Sequence, residues 1–393
     1  MSGETPDSNG APNAGPPSGE GTVATTPVTP PQPPAPPAAP TEPPAPVAPD
    51  DLAALAPEES ELGAVAEAKP PSKVLIFIER YALLVAFIGV LLFFSLWGKT
   101  SAAYGSAANY QALFSHTQVY IVVLSLALLF PLLCGEFDLS VGNIAGFAQI
   151  AAAVAMTKHG WSIVPCFILA TVIGAVIGLL NGNTIARVGV NSLIVTLGTA
   201  GVLLGVVNWY TKGVSYGTNN GSVYSLGTLN TVFGIPRMDI LIAIVAIVVW
   251  YVINHTPFGR YLMSVGSNPA AARLVGLRVA KTKLLAFVIS GALSGFAGMI
   301  LFVNTGSGNP GAGTIADTLT ALAAVFLGAT AIKPGRFNVE GTLIAIFFLA
   351  ATVSGLVIAG VSSDVNQVFN GAALFVAVVI STEVRNRRLG HGH

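Results

Sequence analysis

Residues 255–283 form a polar, basic segment in a chain that is otherwise strongly apolar. The segment contains three arginines, two lysines and one histidine, and it has no aspartate or glutamate. Arg260 and Arg273 offer planar guanidinium groups, which pair well with carboxylates. The chemistry that this pattern indicates is therefore charge-assisted docking to an acidic surface.

A short helix is predicted inside this segment. Ser267 or Asn268 can cap its N-terminus, and Pro269 is preorganised for the first helical turn. The alanines that follow favour helix, and Gly276 can end it just after the C-cap. A second interpretation is that the cations only anchor the chain to lipid headgroups. We favour that interpretation for Lys281 and Lys283, and docking for the two arginines.

The remaining polar side chains lie in or beside apolar runs. Asp138 follows Glu136 in a short loop, where Asp138 or Ser140 can cap the next helix. We favour capping or packing for Asp138 over contact with a passing solute. Polar residues that are candidates to line a passage for a hydroxylated solute are Asn143, Gln149, Asn181, Thr196 and Asn304.

Familiar catalytic and nucleotide-binding motifs are missing or incomplete in the sequence. Gly306–Gly311 matches GxGxxG, but it follows an apolar run rather than a strand and contains Pro310. Gly98-Lys99-Thr100 resembles the end of a P-loop, yet Phe93 occupies the position of the first glycine. HExxH, CxxC and GxSxG do not occur. We therefore predict no enzyme activity, no cofactor, no metal site and no ATP site in this chain. His391–His393 could bind metal weakly, but we interpret it as a frayed polar terminus.

The composition is that of a membrane protein, with 53% hydrophobic and 9% charged residues. Residues 1–70 differ from the rest, because they are rich in proline and alanine and carry ten acidic residues before the first basic one, Lys69. Such a segment cannot bury enough apolar surface to offset its ordering entropy. It is predicted to be a disordered cytoplasmic tail, and residues 74–385 to be the transmembrane domain.

About ten apolar runs have the length that crosses a bilayer, so the predicted fold is all-α and polytopic. The third run is the weakest and is a candidate for a broken or re-entrant segment. With the N-terminus inside, 13 Lys and Arg fall on the cytoplasmic side and 4 outside, which predicts both termini in the cytoplasm. The runs are 74–97, 117–134, 139–156, 162–186, 192–210, 238–254, 284–304, 315–332, 340–360 and 366–382.

Several motifs resemble a family of transport proteins. Gly135–Gly142 is similar to the Gly-x-Ile-Asp-Leu-Ser-Val-Gly signature of the permease subunits of bacterial ribose- and xylose-type ABC importers, and Gly178–Gly182 and Ile194–Thr199 to their next two. Thr256–Gly276 resembles their most specific signature. The resemblance covers residues 75–385. Departures at Asn191, Thr320 and Ala329, and in the turn at 333–339, leave the sugar open.

The resemblance implies a permease subunit that imports a monosaccharide, a pentose such as ribose or xylose, across the inner membrane. ATP would be bound by separate cytoplasmic ATPase subunits, and an extracytoplasmic sugar-binding protein would deliver the sugar, with 211–237 as its landing surface. A second permease copy and the lipid bilayer complete the expected partners, and no nucleic acid is expected. The implied ATPase-coupling residues are Arg260, Gly266, Asn268, Pro269, Ala271, Ala272, Arg273 and Gly276, and the signature or path residues are Asp138, Ser140, Gly142, Asn143, Asn181, Thr196 and Asn304.

Three alternatives remain open at this point. A permease of the same architecture for branched-chain amino acids or nucleosides shares the membrane plan. A secondary carrier working alone would need an acid or histidine near mid-membrane, and the sequence offers none there. A membrane-embedded enzyme would need a catalytic constellation.

Overall fold

The computed structural model describes residues 73–114, 119–229, 231–232, 235–362 and 364–388. The predicted tail, 1–70, and the predicted frayed terminus, His391–His393, lie outside this range. Across the described residues the fold is almost wholly helical, as predicted. The helices are α1 (Lys73–Leu96), α2 (Ser101–Tyr104), α3 (Ala107–Phe114), α4 (Val119–Leu133), α5 (Val141–His159), α6 (Ile163–Asn183), α7 (Ser192–Thr211), α8 (Gly221–Tyr224), α9 (Arg237–His255), α10 (Pro257–Ser267), α11 (Pro269–Leu274), α12 (Val279–Thr305), α13 (Ile315–Gly328), α14 (Val339–Ile358) and α15 (Val365–Arg388).

Short non-α elements complete the description. π-Helical turns at Thr184–Val188 and Ser225–Leu229 follow α6 and α8. Two antiparallel ladders, β1 with β4 and β2 with β3, join the loops, and the first sets Tyr216 opposite Gly308. The strands are β1 (Tyr216–Gly217), β2 (Thr231–Val232), β3 (Ile235–Pro236) and β4 (Ser307–Gly308).

A helix lies over each of the ten predicted runs, but only six candidates in the described part of the chain are long and apolar enough to cross a membrane. Three more apolar helices, 80–96, 315–328 and 365–380, are shorter. The third predicted span coincides with α5, a continuous helix rather than a broken one. The six candidates are Ala107–Leu133, which runs over the undescribed residues 115–118, Ile163–Val188, Ser192–Thr211, Arg237–His255, Val279–Thr305 and Val339–Ile358.

The helices divide into a buried centre and an exposed periphery. The most apolar part of the candidate that contains α4 is 93% buried, against 22–28% for those of α6, α7 and α9. Helix α5 is also central, since most of its residues are buried between α6, α7 and α12. Its Gly, Ala, Asn and Gln content keeps it out of the six candidates, and neighbouring helices rather than lipid surround it.

Small residues bring α6 and α12 into direct backbone contact. A Cβ at Gly291 would lie 2.2 Å from the backbone oxygen of Gly174, and one at Gly178 would lie 2.2 Å from that of Phe287. The two helix backbones are so close that only glycine fits at these positions, as in other small-xxx-small helix crossings. Close backbone packing therefore holds this pair of helices together. The Gly201/Gly205 pair on α7 differs, because no described atom would lie within 4 Å of a Cβ there.

We predict that Gly291→Ala destabilises the protein, whereas Gly201→Ala does not. The added methyl group at position 291 would force α6 and α12 apart, at a cost of about 1–3 kcal/mol. The same change at position 201 meets open space and improves helix propensity. The thermal unfolding midpoints of the two purified variants in detergent test this, and equal midpoints would contradict the packing account.

Candidate functional site: the basic loop and the buried polar network

The predicted short helix in the basic segment is present as α11. The side chain of Asn268 accepts hydrogen bonds of 3.0 Å from the backbone N–H groups of Ala270 and Ala271, and Pro269 occupies the first turn. Gly276 follows the helix with φ = 83°, a left-handed conformation that favours glycine. Of the two predicted caps, Asn268 therefore begins the helix and Ser267 ends the preceding one.

A second helix, α10, precedes α11 and was not predicted. Thr256 caps it by accepting from the N–H of Gly259, and Pro257 starts its first turn. Leu262 and Val265 on its inner face are completely buried. The signal that would have revealed α10 was available, because a capping threonine and a proline precede apolar residues at helical spacing.

The outer face of α11 combines positive charge with bare apolar surface. Arg260 and Arg273 are exposed, as docking requires, while Ala272 points inward and is 4% exposed. Leu274 is 90% exposed and Val275 is 76% exposed. These two residues were missed at the sequence level because an apolar pair beside a helix end looks like ordinary core.

Beside α11 the chain forms an open groove lined by basic side chains. Arg187 comes from the turn after α6, Arg273 from α11, and Arg278 and Lys281 from the start of α12. Apolar residues of α12, Leu284 and others, form the remaining wall, and no acidic residue lines the groove. This surface suits anionic groups of a partner or of lipid headgroups.

Among the contacts that attach the loop to the helical bundle, two lead to the end of α4 and the segment after it. A Cβ at Gly266 would lie 2.1 Å from the backbone oxygen of Leu133, so α10 touches the end of α4. Lys283 forms an ion pair with Glu136 in the segment that follows α4. The prediction that Lys283 serves as a lipid anchor is therefore wrong, because its ammonium group has a carboxylate partner. Lys281 is exposed, and its assignment to lipid stays a prediction.

Two residues beyond Glu136, the carboxylate of Asp138 is fully buried and hydrogen-bonded. It accepts from the N–H of Ser140 (3.1 Å), the hydroxyl of Ser140 (2.6 Å) and the hydroxyl of Ser290 on α12 (3.0 Å). Burial raises the pKa of Asp138, and these hydrogen bonds oppose the rise. Asp138 and Ser140 were the two residues predicted to cap α5. Asp138 accepts the backbone N–H of Ser140, whereas the hydroxyl of Ser140 donates to Asp138.

The network extends from Ser140 into α6 and α7. The Asn181 side chain donates to the hydroxyl of Ser140 (3.0 Å) and accepts from that of Thr199 (2.6 Å). Thr196 accepts from the N–H of Leu139 (3.1 Å). Asp138, Ser140, Asn181 and Thr196 are all buried against one another. The structure therefore brings four of the predicted signature or path residues together in a packed network.

The other signature or path candidates lie apart from this network. Gly142 donates its N–H to the hydroxyl of Thr318 on α13 (3.0 Å). Asn143 is buried on α5, and its side-chain oxygen has no hydrogen-bond partner. Asn304 is half-buried near the opposite end of α12 from Lys283. The seven signature or path residues therefore do not form a single solute site.

The fold and this arrangement define a multi-pass α-helical membrane protein that carries an exposed basic loop tied to its core. A family model described as "Branched-chain amino acid transport system / permease component" matches residues 110–378. The chain belongs to this family of transport permeases.

Curated relatives extend the comparison. Ribose import permease protein RbsC of Haemophilus influenzae is 30% identical over 310 residues, which are 77% of this chain and 94% of the relative. RbsC of Escherichia coli K12 is 31% identical over 264 residues, 66% of this chain and 82% of the relative. Xylose transport system permease protein XylH of E. coli K12 is 28% identical over 370 residues, 79% of this chain and 93% of the relative. No solved structure matches.

We predict that Asp138→Ala lowers the stability of the protein. The substitution leaves the Ser140 and Ser290 donors buried without an acceptor, and each such group costs about 1–3 kcal/mol. Asp364→Ala is the matched control, because Asp364 is exposed and bonds only within its own turn. The control should change the free energy of unfolding by about 0.5 kcal/mol or less. Similar unfolding midpoints for the two variants in detergent would contradict the network's role.

Proposed function

We propose that the chain is the transmembrane permease subunit of an ATP-driven importer that carries a monosaccharide, a pentose such as ribose or xylose, into the cytoplasm. The observation that carries the proposal is α11, a capped helix that exposes Arg273, Leu274 and Val275 on a loop fastened to the bundle. The chain has no P-loop of its own. Its resemblance to ribose and xylose permeases supports the choice of substrate.

In the proposed mechanism, a cytoplasmic ATPase binds α11. Leu274 and Val275 would bury their apolar surface in a groove of the ATPase, and Arg260 and Arg273 would pair with carboxylates at its rim. A shift of α11 would reach the bundle through the α10 contact with the end of α4 and through the pair formed by Lys283 and Glu136. Both contacts lead to the segment that holds Asp138.

The proposed topology has ten spans, both termini in the cytoplasm and the basic loop on the same side. It follows the asymmetry of Lys and Arg between alternate loops. The loop at 211–237 then lies outside, where a sugar-binding protein would land, and β1 joins it to β4 at the outer end of α12. A second copy of the chain would complete the passage in the inner membrane.

A permease for branched-chain amino acids is the second candidate, since the family description names that substrate. The similarity to RbsC and XylH over most of the chain favours a sugar. A carrier that works alone is disfavoured, because the fully buried acid, Asp138, already has its oxygens engaged by hydroxyl and backbone donors.

We predict that Arg273→Glu and Leu274→Asp each lower sugar-stimulated ATP hydrolysis and uptake by about tenfold or more. Each change places a negative charge on the docking face of α11, where an acidic or apolar partner surface would reject it. The assay uses the complete importer, with its ATPase and binding protein, in proteoliposomes.

Lys99→Glu is the matched control, since it reverses an exposed charge that lies outside both the basic loop and the 211–237 loop. It should leave both rates near those of the wild type. Normal coupling in both α11 variants, with correct assembly of the complex, would contradict the docking role.

We further propose that residues 1–70 are a spacer. Deleting residues 1–68 should therefore leave ATP-driven uptake within about twofold of the wild type, because the coupling loop and the permease helices remain intact. A large loss of uptake by a deletion variant that still reaches the membrane would overturn the spacer assignment.

A further inference from the structure

A polar cavity lies between α4, α13, α14 and α15, away from both the basic loop and the Asp138 network. Its polar lining consists of Tyr120, Asp317, Thr320, Asn366 and Asn370. None of these residues belongs to the predicted site. In the proposed topology, the ends of the helices that supply them face the outer side of the membrane.

Asp317 places a carboxylate at this cavity in a fixed orientation. One carboxylate oxygen accepts from the hydroxyl of Tyr120 at 2.7 Å, and the other accepts from the backbone N–H of Thr314 at 2.7 Å. The second bond caps the start of α13, so the side chain is held by its own helix and by α4. An acceptor held in this way needs little reorganisation to bind a ligand hydroxyl.

Asn370 supplies the observation that points to a ligand. Its amide nitrogen donates to the hydroxyl of Thr320 (3.0 Å) and to the side-chain oxygen of Asn366 (2.8 Å). Its amide oxygen is buried and accepts no hydrogen bond from any described residue, and the residue is only 8% exposed. An unsatisfied buried acceptor costs free energy, and a donor brought by a ligand would recover it.

The chemistry of the lining selects the class of ligand. Hydroxyls, amides and a carboxylate together offer both donors and acceptors, and Leu349 and Ala350 of α14 give an apolar wall for a C–H face. Ca²⁺ and Mg²⁺ take six or more oxygen ligands, whereas Asp317 is the single carboxylate among the described residues that line the cavity. These lining residues also include no Lys or Arg that could bind an anion.

We propose that this cavity is a binding site for a neutral monosaccharide entering the passage from the outer side, with Asn370 and Asp317 as the acceptors for its hydroxyl groups. The inference rests on the proposed function, because it assigns the place where the sugar of the importer is held. It also names the residues that would contact the sugar. Most of these residues lie on α13 and α15 and not in the signature segments.

The first test is uptake by the complete importer in proteoliposomes, with ribose and xylose as probes. Asn370→Leu and Tyr120→Phe should lower uptake at low sugar concentration by about tenfold, because each removes a polar group that holds the sugar or its acceptor. Asp317→Asn keeps an acceptor for the cap of α13 and separates the carboxylate's role from helix capping.

Thr352→Val is the control, since Thr352 bonds only within α14 and does not line the cavity. Wild-type rates in the cavity variants, with the wild type importing sugar, would overturn the site while leaving the proposed function intact. Failure of the wild type to import either sugar would instead count against the proposed function.

The second test does not depend on transport. Cys134 and Cys166 are buried, so Val353→Cys, at a half-buried position that lines the cavity, provides an added thiol there for a small membrane-impermeant reagent. Ribose or xylose should slow its labelling several-fold, and leucine at equal concentration should not. Labelling that sugar leaves unchanged, or that leucine slows instead, would contradict the assignment.

Discussion

A carboxylate buried inside a helical membrane protein must be surrounded by donors, and the position of Asp138 imposes this constraint on the whole bundle. Moving an unpaired ionised group into an apolar interior is very costly. Ser140 and Ser290 provide the donors here, and Asn181 with Thr199 holds Ser140 in place. The hydrogen bonds around this one carboxylate therefore join the segment before α5 to α6, α7 and α12. Apolar contacts would not have the same directional specificity.

The remaining architecture is consistent with this constraint. Glycine contacts bring α6, which carries Asn181, against α12, which carries Ser290, with Gly291 directly beside Gly174. The segment that carries Asp138 also carries Glu136. The ion-pair partner of Glu136, Lys283, lies near the start of α12, at the end of the basic loop. Helix α11 is thus linked to the hydrogen-bonded segment of Asp138 through α10 and the pair of Lys283 with Glu136, as the proposed coupling role requires.

Local chemistry made part of this predictable from the sequence. The cap at Asn268, the turn at Gly276 and the apolar runs are encoded within a few residues, and the structure confirms the helices that they predict. The pairing of Lys283 with Glu136 and the cavity around Asn370 depend on residues far apart in the chain, so spacing alone did not reveal them. Only six of the ten predicted runs yield helices that are long and apolar enough to cross a membrane in the described residues, because α5 contains many small and polar residues and three other apolar helices are short.

The central claim is that this chain forms a sugar passage but takes its energy from a partner through the basic loop. Uptake of labelled ribose and xylose into liposomes that contain the purified chain, alone and then with its ATPase, its binding protein and ATP, tests this most directly. The account predicts uptake only when ATPase, ATP and binding protein are all present. Concentrative uptake by the chain alone, driven by an ion gradient, would contradict it.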